Sequence, residues 1–386
     1  MNIKRAVLIG SILFSFASGL PAQGPQPAPE AGVVLSRIEP LSPIIVPAKV
    51  FGENQSMIFD TGSSFHVLDQ RYVKQLGPVT SKETVGASTK LVDIKLFSCP
   101  QISVGGFSLD RELPVSTFVM QPFSEAVGQH VDGLIGVQFL SGRVVELNFD
   151  DGQLVVHDKD SWKRDPNAIS LSMIEGPETG SINTPVVAGV VGPYRLSLMV
   201  DTGFSGELGL NTRAFDELVK RGQLNVTRNT ATQGLDGKNE PRTGVVDSFL
   251  LGAFRHESIL VMESSSNLIG LRYLSRYNVV FDYDNKKVYL KEGNKFNDVM
   301  QAGKSGIGFL WVDQQVVVDS VGEGSPAETV GIRKADVIVK INGEAVFGHD
   351  FGKVRGILTQ ASGTVVDVQL LRKGQSFSVK MTLADF

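Results

Sequence analysis

The chain has 386 residues, enough for two or three domains, and 42% apolar against 20% charged residues is an ordinary globular balance. A net charge of −4 without a basic patch argues against nucleic acid as a partner. The single cysteine, Cys99, excludes an internal disulfide. In the run Leu96-Phe97-Ser98-Cys99-Pro100 it reads as a small buried hydrophobe, so stability has to come from the core.

In chain order, Lys4 and Arg5 precede an apolar run from Ala6 to Phe16, followed by small residues suited to cleavage after Gly19 or Ala22. Residues 1–22 thus have the layout of a secretory signal and are too short to span a bilayer comfortably. The expected location is exported, periplasmic or extracellular, with no stable membrane span. Residues 23–32, rich in Pro, Gly and Ala, read as a semi-extended linker.

From there the chain repeats itself. Met57-Ile58-Phe59 runs into Asp60-Thr61-Gly62, and Leu198-Met199-Val200 runs into Asp201-Thr202-Gly203. Gly52 and Gly192 mark a hairpin turn ahead of each motif. A short helix follows each, starting at Asp69 and stopping by Gly77, then starting near Asn211 or Thr212 and stopping at Gly222. Further on, Leu134-Ile135-Gly136 is matched by Leu268-Ile269-Gly270, and Phe149-Asp150-Asp151 by Tyr283-Asp284-Asn285, each beside a strand. One Asp-Thr-Gly is as readily a polar turn. Two in one ordered repeat point to duplicated lobes presenting paired carboxylates.

Residues 294–304 read as a second connector, and 305–386 as a separate unit. That unit opens on Gly306-Ile307-Gly308-Phe309, continues through Val316-Val317-Val318, and starts a short helix at Ser325-Pro326. Asp336 to Gly343, a helix near Phe351 to Gln360 and two closing strands complete it. The five histidines are scattered, without zinc spacing, and no metal or cofactor is expected.

On these motifs, residues 33–293 resemble the pepsin/retropepsin-like aspartic proteases in single-chain, two-lobed form, with lobes at 33–160 and 161–293. Residues 305–386 resemble a PDZ domain of the bacterial exported type. The resemblance implies a mainly β fold: a two-lobed acid-protease-type β-barrel plus a small α+β PDZ domain. It implies an aspartic endopeptidase with Asp60 and Asp201 as the dyad, acting on a peptide or protein substrate. A monomer suffices, because both carboxylates lie on one chain. Thr61 and Thr202 would lock the dyad across the lobes, and Gly62 and Gly203 would allow tight backbone approach. Two paired carboxylates share one proton, so one member activates water while the other donates to the carbonyl oxygen.

The copies differ at one place. Ser63 follows Gly62, and its hydroxyl is expected to bond Asp60; Phe204 stands where the family usually has Ser or Thr. Asp201 is therefore expected to hold the proton more often. Pepsin-like flaps carry a tyrosine, which the candidate flap at Gly86, Ala87 and Ser88 lacks; its second-lobe counterpart is the turn around Leu235. In the PDZ-like unit, Gly306, Ile307, Gly308 and Phe309 are expected to receive a C-terminal or extended peptide, with Phe351, Val354 and Leu358 as the other groove wall. Ala335 stands where a glycine often precedes Asp336. The alternative is a non-catalytic peptide-binding or scaffold protein with a protease-like shell; the two aspartates argue against it, and the Phe204 departure keeps it open.

Overall fold

Turn chemistry sets the first hairpin of each lobe. Strands Ile45–Val50 and Glu53–Asp60 meet at Phe51 and Gly52, both at positive φ (53° and 87°), the turn geometry that matches strand twist. Val186–Val191 and Tyr194–Asp201 repeat this hairpin, with Gly192 at φ 53°. Alternation sends Val46, Ala48, Val50, Met57 and Phe59 into the core of the first copy, and Val187, Val191, Leu198 and Val200 into that of the second. The computed structural model describes residues 7–8, 32–38, 42–86, 91–174, 184–229, 232–234, 237–298 and 304–385. The signal layout, apart from Val7 and Leu8, and nearly all of the first linker lie outside the described residues.

Each aspartate ends its strand beside a returning strand that runs parallel to it. Gly133–Gly136 aligns Gly136 with Asp60, and Leu268–Gly270 aligns Gly270 with Asp201. On the other side these strands run antiparallel to His66–Asp69 and Leu208–Asn211. The wedge leaves no room for a side chain at its end. A Cβ on Gly136 would lie 2.4 Å from the Phe65 carbonyl oxygen, and one on Gly270 would lie 2.3 Å from that of Gly206. Glycine is needed here for close approach, not for its dihedral freedom.

The short helices sit where their caps put them. Asp69 accepts the Arg71 amide and opens a 3-10 turn, Gln70–Tyr72, that continues as Val73–Leu76. Asn211 accepts the Ala214 amide and opens Thr212–Lys220. Gly77 (φ 80°) and Gly222 (φ 66°) stop the two copies. A six-stranded sheet then joins the repeats through their equivalent strands, Val144–Asn148 pairing antiparallel with Tyr277–Asp282. The mainly β architecture, half barrel and half repeat of it, is thereby one unit with a continuous core.

A second compact unit contains residues 304–385 and residues 121–130. Its sheet runs in the order Ile307–Val312, Gln315–Val321, Val337–Ile341, Val365–Arg372, Gln375–Thr382, which makes Ile307–Val312 an edge strand. Ser325 Oγ accepts the Glu328 amide and caps Pro326–Thr329; the second helix is Phe351–Leu358. Ala335 has φ 70°, a left-handed conformation that costs a residue with a Cβ about 1–2 kcal/mol, which is why glycine suits this place. Helix Gln121–Val127 packs along the edge strand of this unit. Among the described residues no helix is long and apolar enough to cross a membrane.

Candidate active site

Asp60 and Asp201 are fully buried at the ends of their strands, and the backbone around each is the same. Asp60 Oδ1 accepts the amides of Gly62 (2.9 Å) and Ser63 (3.1 Å); Asp201 Oδ1 accepts those of Gly203 (2.8 Å) and Phe204 (3.1 Å). The outer oxygens, Asp60 Oδ2 and Asp201 Oδ2, take no donor from the protein. The two loops face each other at contact distance. A Cβ on Gly62 would lie 2.4 Å from Asp201 Cγ, and one on Gly203 would lie 2.5 Å from Asp60 Cγ. Each glycine is thus seated on the other loop's carboxylate.

The threonines hold that arrangement by exchanging bonds. Thr61 Oγ1 donates to the Val200 carbonyl (2.7 Å) and accepts the Thr202 amide (3.1 Å). Thr202 Oγ1 donates to the Phe59 carbonyl (2.8 Å) and accepts the Thr61 amide (3.0 Å). All four bonds are buried, where an unmade bond costs about 1–3 kcal/mol. The two loops are therefore held in one geometry.

Burial pushes both carboxyls up, Asp60 to about 6. Asp201 is pushed well above the usual carboxylate range by burial and by the Asp60 charge beside it. Two acceptors this close share one proton, which belongs to the pair. The expected hydroxyl asymmetry is not what separates them. Ser63 Oγ donates to the Phe65 carbonyl (2.7 Å) and leaves Asp60 to the Ser63 amide. Phe204 offers Asp201 the equivalent amide, while its ring packs in an apolar cluster with Val186, Met199 and Leu268. The donor was expected on a side chain; the backbone supplies it in both loops.

Of the flap candidates, Gly86 ends the strand Val79–Gly86 and pairs with Leu91, whereas Ala87, Ser88 and Leu235 lie outside the described residues. The second-lobe turn is bounded by the pair Gly234 and Gly237, the latter at φ 104°. In the second unit Gly306 has φ 76°, the Ile307 amide donates to Ser305 Oγ (3.2 Å), and the ladder is irregular between Gly308 and Phe309. The Phe309 ring packs on Phe351 at 4.9 Å between centroids. Phe351, Val354 and Leu358, expected as the other groove wall, lie on the helix Phe351–Leu358 and are buried, at 2%, 0% and 1% exposure.

Two supports escaped the sequence reading. His66 is buried beside the dyad, and its Nδ1 accepts the amide of Gly136, the residue paired with Asp60. Burial, helped by the Arg143 charge, pushes it down to about 4 and keeps it neutral. Its place inside Phe65-His66-Val67 was the available signal. Beneath the second loop, Glu207 and Arg276 form a buried ion pair at 2.6 Å, and Glu207 also accepts the Leu260 amide. A lone carboxylate in Gly206-Glu207-Leu208-Gly209-Leu210 could have flagged it, since buried charges need partners. Among the described residues no group of three or more His, Cys, Asp or Glu side chains is placed to hold a metal.

Residues 46–139 match the family model of the aspartyl protease, and residues 317–372 match that of the PDZ domain. The carboxy-terminal processing protease CtpA of Bacillus subtilis (strain 168) is 31% identical over 86 residues, 22% of this chain and 18% of that protein. A probable CtpA-like serine protease of Staphylococcus haemolyticus (strain JCSC1435) is 30% identical over 92 residues, 23% of this chain and 18% of that protein. The chain spans less than a fifth of the length of these curated relatives. By these matches residues 46–139 are similar to an aspartyl protease domain and residues 317–372 to a PDZ domain.

Proposed function

We propose that the protein is an exported aspartic endopeptidase in which Asp60 and Asp201 activate the attacking water. The observation that carries this reading is the mutual seating of the loops, each motif glycine lying on the other motif's carboxylate. In the singly protonated pair, the ionised carboxylate takes a proton from water as the water oxygen attacks the peptide carbonyl. The protonated partner donates to the carbonyl oxygen, giving a neutral gem-diol without a covalent enzyme intermediate. Collapse of the gem-diol breaks the C–N bond and passes a proton to the departing amine. The Thr61 and Thr202 lattice and the neutral His66 position the pair without touching substrate.

Export is supported by the order Lys4, Arg5, apolar run, small residues at the N-terminus. The PDZ unit recruits a peptide, substrate or partner at its edge strand. The word serine in the Staphylococcus protein's name belongs to that protein, with which the shared stretch is short. Phe204, the departure that keeps a non-catalytic shell open, serves Asp201 through its amide while its ring packs in an apolar cluster, which supports the catalytic reading.

The test is cleavage of a broad peptide library by the purified chain beside Asp60→Asn and Asp201→Asn. Each variant is expected to lose about 10²–10⁴-fold in rate, and a serine-directed fluorophosphonate is expected to leave the wild type active. Undiminished cleavage in either variant, or inactivation by the fluorophosphonate, overturns the assignment.

A further inference from the structure

The two repeats differ most in one connection. In the second lobe, strand Phe254–Ser264 reaches Leu268–Gly270 through residues 265–267 alone. In the first lobe the equivalent step, from Val115–Phe118 to Gly133–Gly136, takes residues 119–132. Both starting strands run parallel to the strand after their aspartate loop, so the steps correspond. The extra chain does not stay with its lobe: residues 121–130 belong to the unit that carries the PDZ domain.

Within that unit, helix Gln121–Val127 packs along Ile307–Val312, the edge strand of the sheet. Its Phe123, Ala126 and Val127 are buried. Gly128 closes the helix at φ 82°, its amide bonded to the Ser124 carbonyl, and it lies hard against the second wall. A Cβ there would be 2.3 Å from Phe351 Cδ1. The segment therefore meets both the edge strand and the helix Phe351–Leu358. An exposed sheet edge is where a PDZ domain adds the strand of its peptide ligand.

We propose that residues 121–130 are the resident occupant of the PDZ groove, so that a peptide adding to Ile307–Val312 has to displace them. This rests on the proposed reading of the unit as a peptide binder. The competing ligand is an extended peptide with apolar side chains that replace Phe123, Ala126 and Val127. An occupant in place 99% of the time lowers the apparent affinity of such a peptide by about 100-fold. Both ends of the segment are fixed to the strands around Asp60. The Met120 amide donates to Asp69 Oδ2 (2.9 Å), and the Asp132 amide donates to the Ser56 carbonyl (2.7 Å) while its carbonyl accepts the Asp69 amide (2.8 Å).

The experiment uses the full chain, its Phe123→Ser/Val127→Ser variant and, as a second lesion, Gly128→Ala. Amide hydrogen exchange is followed, and a fluorescein-labelled synthetic peptide of residues 119–131 is titrated in trans. Both variants are expected to exchange Ile307–Val312 about tenfold faster, with Val365–Arg372 unchanged, and to bind the peptide about tenfold or more tighter than wild type. Equal exchange and equal peptide binding in all three chains overturn the proposal, as does faster exchange with no binding of the peptide. Failure of the peptide-binder reading shows as no binding of the peptide by any of the three chains, whereas failure of the resident-occupant proposal shows as equal, measurable binding in all three, so the two are distinguishable.

Discussion

The two aspartate loops differ in side chain and agree in backbone. Ser63 turns its hydroxyl to the Phe65 carbonyl, while Phe204 turns its ring into an apolar cluster. Yet both offer an amide to the inner oxygen of the preceding aspartate at 3.1 Å. The difference teaches that this position is answerable to the packing of its own lobe. The carboxylates depend on what the loops share, namely the glycines, the amides and the crossed threonines.

The sharpest way to break that comparison is to damage a shared feature. Gly62→Ala puts a Cβ into the space of the Asp201 carboxyl group, and Gly203→Ala does the same to Asp60. Peptide cleavage is expected to fall by about 10²–10⁴-fold in each, as misplacing a proton-transfer pair does. A loss in one variant only would mean that the loops are not equivalent.

Damage to the unshared side chains should read out in stability instead. Phe204→Ser empties a fully buried ring site and is expected to cost about 3–5 kcal/mol by denaturant unfolding. The pH dependence of the remaining activity should stay that of wild type, because the amide at Asp201 is retained. A shifted profile would restore the hydroxyl argument. Ser63→Ala removes one buried bond and is expected to cost only about 1 kcal/mol, with kcat/KM nearly unchanged.

The repeat was legible because each of its parts has a local chemical cause. A capping Asn211 or Asp69, a stopping Gly77 or Gly222 and a strand ending in aspartate are all written in residue type. The PDZ elements were legible for the same reason, down to the Ser325 cap and the strained Ala335. What escaped depends on distant contacts. Nothing in Ser63 says that its hydroxyl will find Phe65 before Asp60. The helix Gln121–Val127, at seven residues, is too short for its periodicity to announce an apolar face. Its significance shows only when the two connections, 119–132 and 265–267, are set side by side.

The central claim is that one proton shared by Asp60 and Asp201 drives the chemistry. Its most direct test is kcat/KM on a cleaved peptide from pH 4 to pH 9. Burial pushes the Asp60 carboxyl up to about 6, and protonating the pair's ionised member as pH falls through that value removes the base. Burial and the Asp60 charge push Asp201 well above the usual carboxylate range, which favours it as the proton's holder. The account predicts a bell with its acid limb near pH 6, and loss of nearly all activity across the range in Asp201→Asn. Activity that keeps rising below pH 5, or an Asp201→Asn variant that retains the wild-type bell, would contradict it.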